Sequence, residues 1–113
     1  MPASLTGSKG DPVRGRAIVA SRQSGLCLLC HSGPIPEERF QGNLAPDLRT
    51  AARLSEGAIR QRIVNPRRAN PDSIMPAYYD TENLTRVAPS LRGKTVLSAE
   101  QIEDVVAYMM TLR

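Results

Sequence analysis

The sequence has few of the residues that usually fill a protein core. Its 113 residues include one Phe, three Tyr and no Trp, and only two Cys and one His. A chain of this length favours one domain with a limited core. The scarcity of large side chains leaves room that a large apolar cofactor would fill. No apolar run approaches the ~18 residues of a membrane span, so no membrane-spanning segment is expected.

The charge and the N-terminus narrow the range of partners and compartments. The net charge is +4, which admits nucleic acid as a partner. No basic run carries interleaved aromatic residues and no DNA-binding motif is present, so nucleic acid is not expected. The opening stretch "MPASLTGSKGDP" lacks the apolar core of a signal peptide, which fits either a cytoplasmic protein or a mature exported chain.

The pattern along the chain is helical. Residues 1–10 are small and polar and are predicted to be flexible, whereas residues 11–113 form the one folded domain. A first helix is predicted from Asp11-Pro12 to about Ser21, because Asp caps free N–H groups and Pro suits the first turn. The apolar side of this helix is assigned to Val13, Ala17, Ile18 and Val19.

Two further helices follow, separated by long proline-containing loops at 32–46 and 66–92. One helix begins at Ser55 and stops at Asn65-Pro66. The last has a capping box formed by Ser98 and Gln101. Its apolar stripe consists of Ile102, Val105, Val106, Met109 and Leu112. No segment alternates with period two, so the fold class is all-α.

The stretch "GLCLLCHSG" contains both cysteines, Cys27 and Cys30, and the one histidine, His31. A zinc site needs four ligands and these residues supply three. A redox dithiol usually lies in a βαβ context, which is absent. A third alternative is that the cysteines are structural thiols and the histidine has no special role. It would not explain why all three residues lie within five positions. C-x-x-C-H is the attachment pattern of c-type haem, in which residues three apart lie on one side of a helical turn and the histidine binds the iron.

Haem attached at these cysteines requires a sixth iron ligand or an open site. Met75, in "NPDSIMPAYY", is the candidate, because Pro76 favours an extended backbone and stiffens the loop. Met109 lies on the apolar stripe of the last helix and is expected in the core. The carbonyl of Pro46 is a candidate acceptor for the second ring nitrogen of His31.

Arginines are dense between the haem motif and Met75. They either form a solvated face that offsets the haem propionates or dock an acidic partner. The residues are Arg49, Arg53, Arg60, Arg62, Arg67 and Arg68.

The layout resembles a class I cytochrome c, through "CLLCH", the later "MP" and the terminal helix "QIEDVVAYMMTL". The resemblance implies a single-domain all-α fold, with crossing N- and C-terminal helices around one covalent haem. In that family a small residue on the first helix meets an aromatic residue on the last. The matching residues in this sequence are Gly15 and Tyr108.

Residues 10–113 also resemble the SoxX family, most specifically in the "NPDSIMPAYY" loop. The resemblance implies a periplasmic monohaem cytochrome that forms a heterodimer with a SoxA-type cytochrome. In SoxAX complexes SoxA holds the catalytic haem and joins thiosulfate oxidatively to a cysteine of the carrier SoxYZ. The SoxX haem passes the electrons to a small cytochrome c. The alternatives are a free electron-carrier cytochrome, and a haem peroxidase or sensor in which Met75 dissociates.

Overall fold

The computed structural model describes residues 3–21, 24–79 and 96–112. Four α-helices lie in these ranges: α1 (Pro12–Ala20), α2 (Leu48–Ala51), α3 (Glu56–Val64) and α4 (Ala99–Met110). Two 3₁₀ turns, Cys27–Leu29 and Pro66–Arg68, complete the elements. These described ranges contain no strand, so the predicted all-α class is confirmed. Residues 80–92 of the predicted long loop, and Met1, fall outside the described residues.

The predicted helix starts are confirmed by their capping contacts. The Asp11 carboxylate accepts hydrogen bonds from the backbone N–H groups of Val13 and Arg14, at 2.8 and 3.2 Å. Ser55 caps α3 through Ala58 N–H at 3.2 Å, and Ser98 and Gln101 form the reciprocal capping box of α4. Each cap is a local signal, because a polar side chain satisfies N–H groups that have no partner within the helix.

The helices α1 and α4 cross in close backbone contact. A Cβ atom at Gly15 would lie 1.9 Å from the carbonyl oxygen of Asp104 and 2.9 Å from the Cβ atom of Tyr108. The backbones therefore approach to a distance that only glycine permits. The Asp104 carboxylate accepts the N–H of Asp11 at 2.7 Å and Nε of Arg14 at 3.1 Å. The crossing suggested by Gly15 and Tyr108 is thus present.

The same crossing explains why the apolar side predicted for α1 was partly wrong. Val13 is 78% exposed and Ala17 is also exposed, whereas Gly15 and Val19 are the buried residues of the helix. Residues two positions apart on a helix do not share a face. With Gly15 turned against α4, Val13 therefore faces solvent.

A buried ion pair connects α3 to α4. The Arg60 side chain is 1% exposed, and its Nε and Nη2 atoms donate to the two carboxylate oxygens of Glu103 at 2.8 and 2.9 Å. Nη2 also reaches Glu56 at 3.0 Å. Arg60 is therefore not part of an exposed docking surface, and that expectation was wrong. Its partner lies 43 residues away along the chain.

The N-terminal segment also touches this ion pair. The backbone N–H of Leu5 donates to Oε2 of Glu103 at 3.2 Å. Leu5 and Gly10 thus lie against α4, and the flexibility expected for residues 1–10 stays a prediction. Burial disfavours the charged form of Glu103, but the hydrogen bonds from Arg60 and Leu5 outweigh it, so the pKa of Glu103 is lowered.

We expect Glu103→Gln to reduce the free energy of unfolding by about 3 kcal/mol at pH 7, because it removes the buried carboxylate that pairs with Arg60 and leaves the more exposed Glu56 as a weaker counterion. The double variant Arg60→Met, Glu103→Leu should recover most of the loss. A carboxylate whose pKa is lowered on folding stabilises the protein at pH values above its unfolded-state pKa. This stabilisation is lost as the pH falls through its folded-state pKa. The difference between Glu103→Gln and the parent should therefore shrink below about pH 4. Urea unfolding of the three proteins across pH tests this, and a Glu103→Gln variant as stable as the parent contradicts it.

Candidate functional site

The core is built around a cavity of about 610 Å³. Its walls come from all four helices and are mainly apolar. The helical apolar lining consists of Val19, Leu48, Ala51, Ile59, Ile63, Val105 and Met109. The volume lies within the range of ~300–1,000 Å³ typical of sites for small molecules and cofactors. Of the residues that the sequence analysis grouped as one site, four line this cavity: Cys27, His31, Pro46 and Met75.

The 3₁₀ turn Cys27–Leu29 carries the C-x-x-C-H motif, and we call the segment 27–31 the cysteine turn. The backbone carbonyl of Cys27 accepts the N–H groups of both Cys30 and His31, at 3.2 and 2.9 Å. Leu26, just before the turn, has φ 59° in the left-handed region, which is unusual for a residue other than glycine. Cys27 and His31 line the cavity. Cys30 is half-buried in the same turn and is not among the lining residues of the described chain.

The His31 ring is fixed by the segment that precedes α2. Its Nδ1 atom lies 2.7 Å from the backbone carbonyl oxygen of Pro46. A carbonyl oxygen only accepts, so Nδ1 carries the proton, and Nε2 of the neutral ring keeps its lone pair for a metal. The neighbouring residues clamp the two segments together: Ser32 Oγ donates to Asp47 at 2.9 Å, and Leu48 N–H donates to the Ser32 carbonyl at 2.8 Å.

Met75 lines the same cavity and is half-buried. Its backbone N–H donates to Ser73 Oγ at 3.3 Å. Met109 is 5% exposed in the core, as predicted, but it also borders the cavity, which the sequence analysis did not anticipate. Two thioethers therefore face one cavity, one from a proline-restricted loop and one from the rigid helix α4.

The chemistry of the thiols bears on the alternatives raised by the sequence. Cys27 and Cys30 do not form a disulfide, and burial raises the pKa of the Cys27 thiol to about 11. Reactive dithiols instead have lowered pKa values, so this environment disfavours redox exchange. In the part of the chain that the structure describes, no group of three or more His, Cys, Asp and Glu residues is arranged to hold a metal ion. A soft thioether, an imidazole and apolar walls around one large cavity are the donor set and surroundings that suit haem.

Comparison with known proteins agrees with this description. A chain in the crystal structure of SoxXA from P. pantotrophus is 35% identical to this protein, with a TM-score of 0.87, over 97% of this chain and 87% of that chain. The c-type cytochrome SorU from Sinorhizobium meliloti is 22% identical with a TM-score of 0.56, over 89% of this chain and 88% of that one, and shares the fold. No family model matches the chain. No curated protein sequence matches it. Within the described residues, no helix is both long and apolar enough to cross a membrane.

We expect haem to be attached through Cys27 and Cys30. Acid–acetone extraction should leave it on the polypeptide, and the intact mass should exceed that of the bare chain by one haem. Cys27→Ser and Cys30→Ser should each retain haem through one thioether, and the double variant should release it to the solvent. Haem that is extracted from the parent protein contradicts the attachment.

The two cavity thioethers can be separated by matched truncations. We expect Met75→Ala to abolish the long-wavelength iron–sulfur charge-transfer band of the ferric protein and to lower the potential, because a neutral thioether favours ferrous iron. Met109→Ala should retain the band and lose about 2–5 kcal/mol of stability as a buried truncation. Visible spectroscopy and unfolding of both variants test this. Loss of the band in Met109→Ala alone would reverse the assignment.

Proposed function

Because the chain belongs to the SoxX family of c-type cytochromes and carries one covalently bound haem c, we propose that it is the electron-transfer subunit of a periplasmic SoxAX-type complex. In this proposal a SoxA-type partner couples thiosulfate oxidatively to a cysteine of a SoxYZ carrier. This chain takes up the electrons and delivers them to a small cytochrome c. That the protein is an electron-transfer cytochrome follows from the family; the complex and its reaction are the proposal.

The observation that carries the proposal is the likeness to the SoxXA chain over 97% of this protein, together with a cavity that His31 and Met75 share. We assign His31 and Met75 as the two axial ligands and Cys27 and Cys30 as the thioether residues. The haem supplies a reversible one-electron iron centre. His31, oriented by the Pro46 carbonyl, contributes the nitrogen ligand. The apolar walls exclude water, which limits the reorganisation that accompanies a change of charge.

In the proposed ligand set, the two cysteines and Met75 are not available to act on a substrate. Both thiols would be consumed by the thioethers, and Met75 would hold the iron on the side from which a substrate would otherwise bind. The coupling of thiosulfate to a carrier cysteine therefore requires a second protein. A free carrier would work without that protein. A peroxidase or sensor would require Met75 to leave the iron, which would give a high-spin spectrum and ready binding of carbon monoxide.

An exposed apolar patch beside the cysteine turn is suited to the SoxA-type partner. It consists of Leu26, Leu29 and Phe40, which together border a shallow groove. Phe40 is 82% and Leu29 53% exposed. Leu29 lies between the two cysteines in sequence, so a partner seated here approaches the attachment side of the haem. Close approach of two haems favours electron transfer between them, and aromatic and apolar side chains are typical of the core of a protein interface.

The remaining arginines are suited to the small electron acceptor. Arg49 pairs with Asp47 at 3.1 Å and Arg60 is buried, so neither presents a free charge. Arg53, Arg62, Arg67 and Arg68 are exposed. A basic surface of this kind speeds encounter with an acidic partner at low ionic strength.

Reconstitution tests the proposed function. We expect the isolated chain to be reduced and reoxidised normally, yet to attach no thiosulfate to a SoxYZ carrier until a SoxA-type cytochrome is added. Phe40→Ser should weaken the heterodimer at least tenfold, because Phe40 is the largest and most exposed apolar side chain of the patch and aromatic residues are enriched at interfaces. Val13→Ser, a similarly exposed apolar residue on α1 outside the patch, is the matched control. Turnover by the chain alone would reverse the roles, and a chain that binds no SoxA-type cytochrome would be a free carrier.

A further inference from the structure

Tyr78 connects three separate parts of the fold. Its side chain is buried, with 4% of the residue exposed. Its backbone N–H donates to the carbonyl of Ile63 at the end of α3 at 3.0 Å, and its carbonyl accepts Leu97 N–H just before α4 at 3.1 Å. Its hydroxyl donates to the carbonyl of Gly25. A single residue thus links α3, the start of α4 and the segment that enters the cysteine turn.

The acceptor of the hydroxyl lies at the base of the cysteine turn. Gly25 precedes Cys27 by two residues, and the Cys27 thiol itself lies 3.7 Å from the same carbonyl oxygen. Once the sulfur is part of a thioether it has no proton to donate. The Tyr78 hydroxyl is then the side-chain donor to this carbonyl in the described residues. A Cβ at Gly25 would come within 2.5 Å of the Ile18 carbonyl, so the turn has little freedom to shift towards α1.

Tyr78 also defines one end of the Met75 loop. Met75 precedes it by three residues, and Pro76 restricts the backbone between them. At the other end, Ser73 N–H donates to the Asn70 carbonyl at 3.0 Å, and Ser73 Oγ accepts the Met75 N–H. The thioether therefore lies between two anchored points, of which Tyr78 is the one that reaches the cysteine turn.

We propose that Tyr78 is a positioning residue that holds Met75 in register with the cysteine turn, so that the thioether stays on the iron. The inference rests on the proposed His31 and Met75 ligation. Thioether sulfur is a weak ligand, and its occupancy depends on how little conformational entropy it loses on binding. The Tyr78–Gly25 hydrogen bond restricts that freedom by joining the distal loop to the proximal turn.

The chain provides a matched control in Tyr108. It is also buried, at 5% exposed, but its hydroxyl has no hydrogen-bond partner among the described residues. Tyr78→Phe and Tyr108→Phe remove the same atom from equally buried rings. Only the first breaks a connection between the Met75 loop and the cysteine turn.

The test uses the haem-loaded protein and added imidazole, which competes with Met75 for ferric iron. We expect Tyr78→Phe to bind imidazole about five- to tenfold more tightly than the parent, the size of effect that one buried hydrogen bond produces. The iron–sulfur charge-transfer band should weaken in parallel. Tyr108→Phe should match the parent in both measurements. Equal imidazole affinity in Tyr78→Phe and Tyr108→Phe overturns the inference, even where Tyr78→Phe is globally less stable.

Two further measurements distinguish a failure of the ligand assignment from a failure of the proposed role of Tyr78. Met75→Ala reports the ligation itself: a retained iron–sulfur band would show that the ligand assignment fails, whatever Tyr78 does. Hydrogen exchange of the parent protein requires no variant at Tyr78. Because coupling is reciprocal, displacement of Met75 by imidazole should speed exchange of the Tyr78 and Leu97 amides and leave that of Ile102 in α4 unchanged. Unchanged exchange at Tyr78 and Leu97 would overturn the inference.

Discussion

The contact on which the rest of the structure depends is the crossing of α1 over α4 at Gly15. With less than 2 Å between a Cβ at Gly15 and the Asp104 carbonyl oxygen, no larger residue permits this approach. Because Gly25, two residues before the cysteine turn, lies against Ile18 of α1, and α4 contributes Val105 and Met109 to the cavity, the crossing sets the spacing between the turn and the far wall. Asp104 fixes the angle by accepting hydrogen bonds from the start of α1.

A small protein with one Phe and no Trp does not fill its interior with its own side chains. It instead arranges aliphatic residues from four helices as a lining and gives each polar functional group a fixed partner. The His31 ring is held by Pro46, the Met75 backbone by Ser73 and the end of its loop by Tyr78. The buried Arg60–Glu103 ion pair joins α3 to α4, two of the helices that contribute to the lining. The lining thus supplies the apolar surroundings, and short hydrogen-bonded segments supply the geometry.

The sequence predicted those features that depend on local signals. The caps at Asp11, Ser55 and Ser98 gave the starts of three helices, since each satisfies N–H groups within a few residues. The spacing of Cys27, Cys30 and His31, and the Pro76 that follows Met75, pointed to residues that the structure places at or beside one cavity; their roles as ligands stay predictions. Asp47 before Leu48 was a usable cap signal for α2, but four residues leave almost no periodicity to detect.

Other features depend on contacts that are distant in sequence. Arg60 looked like one of many surface arginines, because its partner Glu103 lies on another helix. Val13 looked like core, because its exposure follows from where Gly15 meets α4. The Tyr78 hydroxyl reaches Gly25 across 53 residues, and nothing in "MPAYY" distinguishes it from Tyr79. Such contacts are set by how the helices pack, and a single sequence carries no local trace of them.

The Ser32–Asp47 clamp has a consequence for where such a protein is able to work. The Arg49 guanidinium and backbone N–H, with Ser32 as a further donor, lower the pKa of Asp47 to about 2. A carboxyl group whose pKa is lowered in the folded protein stays ionised, and keeps accepting its hydrogen bonds, at every pH above that folded-state pKa. The Ser32–Asp47 hydrogen bond, which lies next to Pro46 in sequence, is therefore maintained far into the acid range. A reaction that releases protons close to this protein would therefore leave the Ser32–Asp47 hydrogen bond intact.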